Sequence, residues 1–198
     1  MINVSNFIDI KYTGDFGGAI HVTNFGLKCN KIKFYNCSSV TAGGGIYVKN
    51  SKEINLDVNF ERLEFEQCKA NCGGAVYAYS ESENNPVRIA YCIFIENEAI
   101  LSTSSDEMFG GSSIYMTARK GLISFCKFSD KNGISSVKIC NTLDDESSPS
   151  LLLNNNDEIV LIQNCQFITN SKTTSLFYVR GNNGVPCKIK DCKFSGKL

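Results

Sequence analysis

The sequence predicts an all-β fold, a right-handed, single-stranded parallel β-helix (a solenoid) of about six to seven coils. Two observations lead to this prediction. A short apolar motif that ends in phenylalanine recurs through the 198 residues, and most copies are followed by two small residues and a β-branched run. The copies alternate apolar with polar residues and are separated by Asn, Gly and Ser, which is typical of strands and turns. A single domain, residues 1–198, accounts for all of them.

The first motif places an apolar residue two positions before its phenylalanine. A weak first copy ends at Ile10, and later copies follow at roughly 24 to 39 residues, within the period typical of solenoids. The later pairs are Ile32 and Phe34, Leu63 and Phe65, Cys92 and Phe94, Cys126 and Phe128, Cys165 and Phe167, and Cys192 and Phe194. Because the first position accepts Ile, Leu and Cys, we expect it to point into the core as a stacked ladder.

The second motif begins with two small residues. In the N-terminal half these are the glycine pairs Gly17-Gly18, Gly44-Gly45 and Gly73-Gly74. A tight corner needs either a positive φ or a close backbone approach, and glycine provides both. Serine replaces glycine in later copies, such as Ser135-Ser136. We therefore expect turns in which small size matters more than a left-handed dihedral.

The ten cysteines form no recognisable metal-binding or disulfide pattern. Stacked positions keep their Cβ atoms about 4.8 Å apart, which is beyond the range that a disulfide normally bridges. No two cysteines form a CxxC pair, and His21 is the single histidine. We therefore expect reduced thiols, no metal site and no cofactor.

His21 takes the place that Tyr47, Tyr77 and Tyr115 take in later copies, which predicts an aromatic column along one face. Two interpretations of this column stay open. The rings could pack beneath a loop, or their flat faces could stack on the sugar rings of a glycan ligand.

Composition excludes several functions. Twenty basic and twenty acidic residues cancel, so the chain lacks the basic field of a nucleic-acid-binding protein. No apolar run reaches the roughly 18 residues that a membrane-spanning helix needs. Dense carboxylates occur only at Asp144, Asp145 and Glu146, in a Ser- and Asn-rich stretch typical of a solvated loop. We expect no catalytic residues, and we treat these three carboxylates as a candidate partner contact.

Protein partners are predicted at two kinds of place. Polar insertions near 79–88, 98–110 and 141–158 lengthen the repeat and are expected to emerge at the surface. The sequence also begins on a strand and stops shortly after Phe194, so we expect coil ends without caps, whose strand edges a protein partner would cover.

The two motifs together resemble a known repeat family. Gly17-Gly18-Ala19-Ile20 and Gly73-Gly74-Ala75-Val76, with Phe94-Ile95-Glu96-Asn97 and Phe167-Ile168-Thr169-Asn170, are similar to the GGAI and FxxN motifs of polymorphic outer membrane protein repeats. The resemblance implies an adhesive β-helical protein of the cell surface. The absence of a visible signal peptide and the expected free thiols favour a different hypothesis, a cytoplasmic structural subunit of a larger assembly. Both hypotheses stay open at this point.

Overall fold

The structure, a computed structural model, describes residues 1–51, 56–82, 85–100, 110–129, 135–141, 160–169, 176–181 and 187–196. Within these ranges the chain forms parallel β-strands and no helix. The strands stack coil upon coil around one core, which confirms the predicted all-β solenoid. The right hand of the solenoid and the number of its coils stay predictions.

Two walls of the solenoid, wall A and wall B, belong to one sheet because β3 (Leu27–Tyr35) contributes its first half to one and its second half to the other. β1 (Ile2–Ile8) pairs with β3 from Cys29 to Tyr35 and so contributes to both walls. The remaining strands of wall A are β5 (Val58–Glu61), β9 (Val87–Ala90), β13 (Gly121–Ser124), β16 (Val160–Gln163) and β19 (Cys187–Lys190). Those of wall B are β6 (Glu64–Glu66), β10 (Ile93–Ile95), β14 (Lys127–Ser129), β17 (Gln166–Thr169) and β20 (Lys193–Gly196).

Wall C is a separate parallel sheet that follows the glycine turns. Its strands are β2 (Ile20–Thr23), β4 (Ile46–Asn50), β8 (Val76–Ser80), β12 (Ile114–Ala118), β15 (Val137–Asn141) and β18 (Phe177–Gly181). Between walls B and C, β7 (Lys69–Ala70) pairs with β11 (Glu98–Ala99). Apolar side chains from all three walls meet in the common core.

The phenylalanines of wall B form a continuous stack along the solenoid. Their neighbouring ring centroids lie 4.6 to 5.5 Å apart, close to the spacing of parallel strands. The stack contains every phenylalanine of the predicted motif, but it begins at Phe7, which pairs with Phe34. The prediction that Ile10 ends the first copy is wrong. Asp9 has a positive φ of 55° and ends the strand, so Ile10 lies beyond it and is exposed.

Each turn from wall A to wall B occurs at one residue with a left-handed backbone. In β1 this residue is Val4, with φ 44°. In the six later copies these residues, with φ between 52° and 57°, are Lys31, Arg62, Tyr91, Phe125, Asn164 and Asp191. Each stands immediately before a member of the predicted Ile, Leu and Cys column. One left-handed residue reverses the alternation of side chains, so that the next side chain points into the core again.

The two positions of each glycine pair have different requirements, a left-handed backbone at the first and a close approach of the next coil at the second. Gly17, Gly43 and Gly73 have φ values of 66°, 67° and 55°, so the first position needs a left-handed residue. At the second position, a Cβ added to Gly44 would lie 2.3 Å from the carbonyl oxygen of Gly74. The second pair is therefore Gly43-Gly44, one residue earlier than predicted. Gly45 follows the pair, and its N–H donates to the Ala75 carbonyl.

Asn97, the last residue of an FxxN motif, bonds two adjacent coils. Its Oδ1 accepts a hydrogen bond from the Cys68 N–H at 3.0 Å, and its Nδ2 donates to the Phe65 carbonyl at 3.1 Å. Cys68 and Cys37 precede it in the same column, since Glu98 N–H donates to Cys68 and Lys69 N–H to Cys37. The side chain is fully buried, and these bonds satisfy its amide within the core.

Candidate interaction surface

The predicted ladder residues lie in the core. Ile32, Leu63, Cys92, Cys126 and Cys165 are buried, and Cys192 is half-buried at the last described coil. The thiol of Cys126 lies 3.3 Å from the Ser124 carbonyl oxygen and 3.6 Å from that of Ile89, one coil earlier. These contacts give a buried polar atom its partners, so the column is structural.

All ten cysteines are free thiols. Burial raises the pKa of Cys29 and of Cys72 from the usual 9.0 to about 11. Burial also raises the pKa of Cys126, Cys187 and Cys192. Because the thiolate is the nucleophile, none of these five thiols is activated for attack at neutral pH.

We predict that native alkylation at pH 8 modifies Cys187 and Cys192 first and spares the buried thiols, whereas denatured protein takes up ten labels. Labelling of Cys29 and Cys72 should rise about tenfold per pH unit towards pH 11, because the thiolate fraction does. The two protonated thiols also contribute to the free energy of unfolding. This contribution is fully present below pH 9 and is lost as pH rises through their native pKa of about 11. Intact mass spectrometry over a time course measures the labels. Equal native rates at all ten thiols would contradict the burial.

The aromatic column predicted from His21 is confirmed by the register of wall C, in which His21 pairs with Tyr47, Tyr47 with Tyr77 and Tyr77 with Tyr115. The three tyrosine rings stack at 5.0 and 5.1 Å, nearly parallel. Tyr47 and Tyr115 are buried in a cluster with Phe16, Ala42, Cys72 and Cys140. Their ring faces cover one another, so the column acts in packing and these faces are closed to a sugar ring.

Lys138 continues this column between Tyr115 and Tyr178. The side chain is buried, and its Nζ lies 5.6 Å from the Tyr115 ring centroid and 4.7 Å from that of Tyr178. A cation between two ring faces is attracted by both quadrupoles. Lys138 therefore occupies the position of one ring in the aromatic column and contacts the rings on both sides of it.

An exposed aromatic pair lies at the bend between walls A and B. The rings of Tyr91 and Phe125 are 5.0 Å apart and inclined by only 5°, and each side chain is about half exposed, at 51 % and 49 %. Ile93, two residues after Tyr91, points outward from wall B and is 39 % exposed. We call Tyr91, Ile93 and Phe125 the corner patch.

Charged and polar residues surround the corner patch. The guanidinium of Arg62 lies 5.8 Å from the Tyr91 ring centroid and pairs with Glu61 at 2.6 Å. On wall B, Glu64 and Lys127 pair in register with Ile93 from the two adjacent strands. An apolar centre with a charged rim is the composition of a protein-binding surface.

The corner patch was missed in the sequence, although a signal was present. The residue before the Ile, Leu and Cys column is Lys31, Arg62, Asn164 or Asp191 in four copies. Tyr91 and Phe125 are bulky aromatics at this position, which Val4 occupies in the first coil with 76 % exposure. Without the strand register, the sequence around Tyr91 and Phe125 is typical of one continuous strand in which inward and outward side chains alternate.

The last described coil presents a second exposed apolar surface. Val179, Ile189 and Phe194 are 47 %, 44 % and 53 % exposed. One coil earlier, the side chains at the same column positions, Ile139, Ile162 and Phe167, are fully buried. These three residues are thus core positions without a covering coil in the described part of the chain.

The predicted contact at Asp144, Asp145 and Glu146 lies outside the described residues, as do most of the insertions near 98–110 and 141–158. In the insertion near 79–88, residues 79–80 belong to β8 and residues 87–88 to β9. Among the described residues, no three His, Cys, Asp or Glu side chains are grouped to hold a metal ion. The same part of the chain has no helix that is long and apolar enough to cross a membrane.

Comparison with known proteins adds no family to this picture. The chain matches no protein-family model, no curated protein and no solved structure. The exposed surfaces described above are therefore the observations that bear on function.

Proposed function

We propose that this chain is a non-enzymatic β-solenoid module that binds a protein partner through the corner patch. The observation that supports the proposal is the placement of two bulky, half-exposed aromatic residues at left-handed backbone positions, Tyr91 with φ 57° and Phe125 with φ 53°. A left-handed backbone costs an L-residue about 1–2 kcal/mol, and asparagine and aspartate tolerate it best. Asn164 and Asp191 occupy the equivalent bend positions in the next two coils, and both are residue types that tolerate a left-handed backbone.

Stability alone does not account for the aromatic pair. The stacked rings gain about 0.5–1.5 kcal/mol from each other, which is less than the backbone cost of about 2–4 kcal/mol for the two residues, and half of each ring is still left in water. Exposed aromatics with a nearby arginine are the residue types that contribute most to binding at protein interfaces. The corner patch is thus placed for recognition along the side of the solenoid.

The setting that we propose for this module is adhesion or another surface-associated interaction. Support comes from the resemblance of the GGAI and FxxN motifs to polymorphic outer membrane protein repeats, together with the parallel solenoid, a fold that suits repeated surface modules. The right-handed form of the solenoid is part of the same proposal.

A second candidate function is a structural subunit of a larger assembly. The ten free thiols favour it, because unpaired cysteines are typical of proteins in reducing compartments. The two candidates differ in the compartment in which the partner is found, so experiments can separate them.

Replacing both Tyr91 and Phe125 with asparagine tests the corner patch. We expect the free energy of unfolding to change by less than about 1 kcal/mol, because relief of the left-handed backbone offsets the loss of the ring stacking and of the buried half of each ring. Partner binding should be lost. Thermal melting measures the change in stability. The loss of binding has to be measured with a probe that captures the partner in the cell.

Site-specific photocrosslinking supplies that probe. A photoreactive phenylalanine analogue at residue 125 should crosslink one protein in cells that express the chain naturally, and Tyr91→Asn should abolish the product. The matched control carries the analogue at Lys188, which is exposed on wall A. Crosslinking that is equal at both sites, or unaffected by Tyr91→Asn, would refute the corner patch. Recovery of the product from the cell surface supports adhesion, and recovery from a cytoplasmic complex supports the assembly.

A further inference from the structure

We propose that the corner patch binds a second copy of this chain, in a two-fold dimer whose solenoids lie side by side and antiparallel. This inference rests on the proposed function and names the partner that the patch binds. The two copies would meet along the bend between walls A and B, where each presents Tyr91 and Phe125 to the other.

The bend carries one exposed side chain in each of six successive coils, beginning with β3. We call these six residues the bend column, and in order along the solenoid they are Lys31, Arg62, Tyr91, Phe125, Asn164 and Asp191. Successive members are one strand spacing apart, about 4.8 Å. The bend column is therefore a ridge about 24 Å long.

The charges of the bend column are complementary to those of the same column reversed. The column begins with two cations, Lys31 and Arg62, and ends with a neutral amide, Asn164, and an anion, Asp191. A two-fold axis between the two central rings brings residue i of one copy opposite residue j of the other, and j opposite i. Lys31 then faces Asp191 of the second copy, and Arg62 faces Asn164, whose amide oxygen can accept from the guanidinium. Each pair occurs twice.

The apolar centre matches in the same register. Tyr91 faces Phe125 of the second copy, so the four rings meet in the middle of the interface. The exposed half of each ring, and the exposed part of Ile93 beside them, would be removed from water there. Aromatic residues at the centre of an interface contribute most of its binding energy, and the charges at its rim contribute specificity.

Other arrangements of two copies lose this match. Parallel solenoids would place Lys31 opposite Lys31 and Asp191 opposite Asp191, and opposed like charges disfavour association. An antiparallel register shifted by one coil would place one ring of each copy opposite Arg62 or Asn164. Val4, in β1, lies outside the six matched positions.

The charges beside the ridge also permit the antiparallel register. Lys33 and Lys193 flank the bend column on wall B, and Lys193 of one copy would lie on the same side as Lys33 of the other. Lys33 already bonds to Glu64 at 2.8 Å and to Glu66 at 2.9 Å. Lys193 would therefore approach a group with net negative charge, which attracts it.

Sedimentation velocity of the purified 198-residue chain over two decades of concentration gives the first test. We expect the mass to rise from 21.8 kDa to twice that value and no further, because an interface of this symmetry is closed in the dimer. The double variant Tyr91→Asn, Phe125→Asn should stay monomeric. Lys188→Asp, at an exposed residue of wall A outside the bend column, is the control and should dimerise like the wild type.

Charge reversal gives the decisive test. Lys31→Asp and Asp191→Lys should each weaken dimerisation at least about tenfold, because each places like charges opposite one another twice. Both substitutions suit the left-handed backbone, which aspartate tolerates and which lysine adopts at Lys31 with φ 56°. Circular dichroism establishes that each variant is folded. In an equal mixture every reversed charge faces an opposite charge, so the mixture should dimerise like the wild type.

Zero-length crosslinking with a carbodiimide locates the contact. The reagent joins an amine directly to a carboxylate, and Lys31 and Asp191 of one copy are about 24 Å apart along the solenoid. A peptide that contains both residues can therefore come only from two copies. Mass spectrometry should find it in the dimer of the wild type and not in the asparagine variant.

A mass of 21.8 kDa at every concentration would overturn the inference, as would dimers that persist in the asparagine variant or resist both charge reversals. The photocrosslinking experiment at residue 125 keeps these results apart from the proposed function. A product with a different protein would support the proposed function and refute the dimer. Equal crosslinking at residues 125 and 188 would refute the proposed function itself.

Discussion

Cys126→Asp is expected to destabilise the protein by about 3–5 kcal/mol at pH 7, a large part of the stability of a typical domain. Cys126 is 2 % exposed, and its side chain faces the carbonyl oxygens of Ser124 and Ile89. A thiol donates to such oxygens, whereas an ionised carboxylate can only accept. The charge would be buried without a partner, beside two groups that repel it. Chemical denaturation monitored by circular dichroism measures the loss.

The destabilisation should depend on pH in a defined direction. Burial disfavours the charged form and raises the pKa of the native aspartate above its unfolded value of about 3.9. The variant therefore loses stability as pH rises above about 4 and recovers part of it at lower pH. Cys126→Ser is the uncharged control, because its hydroxyl still donates. Lys127→Asp, at the exposed next residue, should cost no more than about 0.5 kcal/mol. An unchanged melting temperature for Cys126→Asp would mean that the whole column points outward.

Gly44→Val should be similarly severe, costing about 3 kcal/mol or preventing folding. A Cβ at Gly44 would lie 2.3 Å from the Gly74 carbonyl oxygen, 2.5 Å from that of Lys69 and 2.7 Å from the Lys69 nitrogen. All three atoms are backbone atoms of the next coil. That coil cannot withdraw without lengthening the hydrogen bonds between the coils, so no rotamer change relieves the contact.

Gly26→Ala is the matched control for Gly44→Val. The nearest atoms to a Cβ at Gly26 are Leu56 Cβ, at 3.0 Å, and the Asp57 carbonyl oxygen, at 3.2 Å, both in an exposed stretch of chain. We expect a change of less than about 1 kcal/mol, because a shift of a few tenths of an ångström in this stretch accommodates the methyl group. The melting temperatures of the two variants, with Gly44→Ala as an intermediate step, give the comparison. Equal effects at Gly44 and Gly26 would show that close approach of the coils is not the constraint.

The core of this protein could be predicted from the sequence because its signal is periodic. Phe34 and Phe65 mark the same position in successive coils, and the Ile, Leu and Cys column stands two residues before them. In a solenoid each coil packs on its neighbours, so equivalent residues have equivalent surroundings. A repeated residue type therefore indicates its burial directly. The FxxN motif has the same property, because Asn97 bonds to the adjacent coil.

The two errors of position have a different origin. Gly44-Gly45 and Gly43-Gly44 both satisfy a pattern of two small residues, and only φ values of 67° at Gly43 and a 2.3 Å approach at Gly44 distinguish them. Ile10 and Phe7 are likewise both apolar residues near the end of the first strand. Sequence spacing does not report backbone dihedrals, and one left-handed residue changes which side chains face inward.

By itself, the sequence determined the solenoid, its phenylalanine stack, the buried thiol column and the aromatic column that begins at His21. These are properties of a repeating unit, in which each residue type is matched to the same neighbours in every coil. Only the tertiary structure decided where apolar surface is left uncovered. Tyr91 and Phe125 are exposed because each has the left-handed backbone of the bend between walls A and B, where its side chain points outward. Val179, Ile189 and Phe194 repeat the buried residues Ile139, Ile162 and Phe167 but are exposed in the last described coil, because burial of an inward side chain depends on the coil stacked on it.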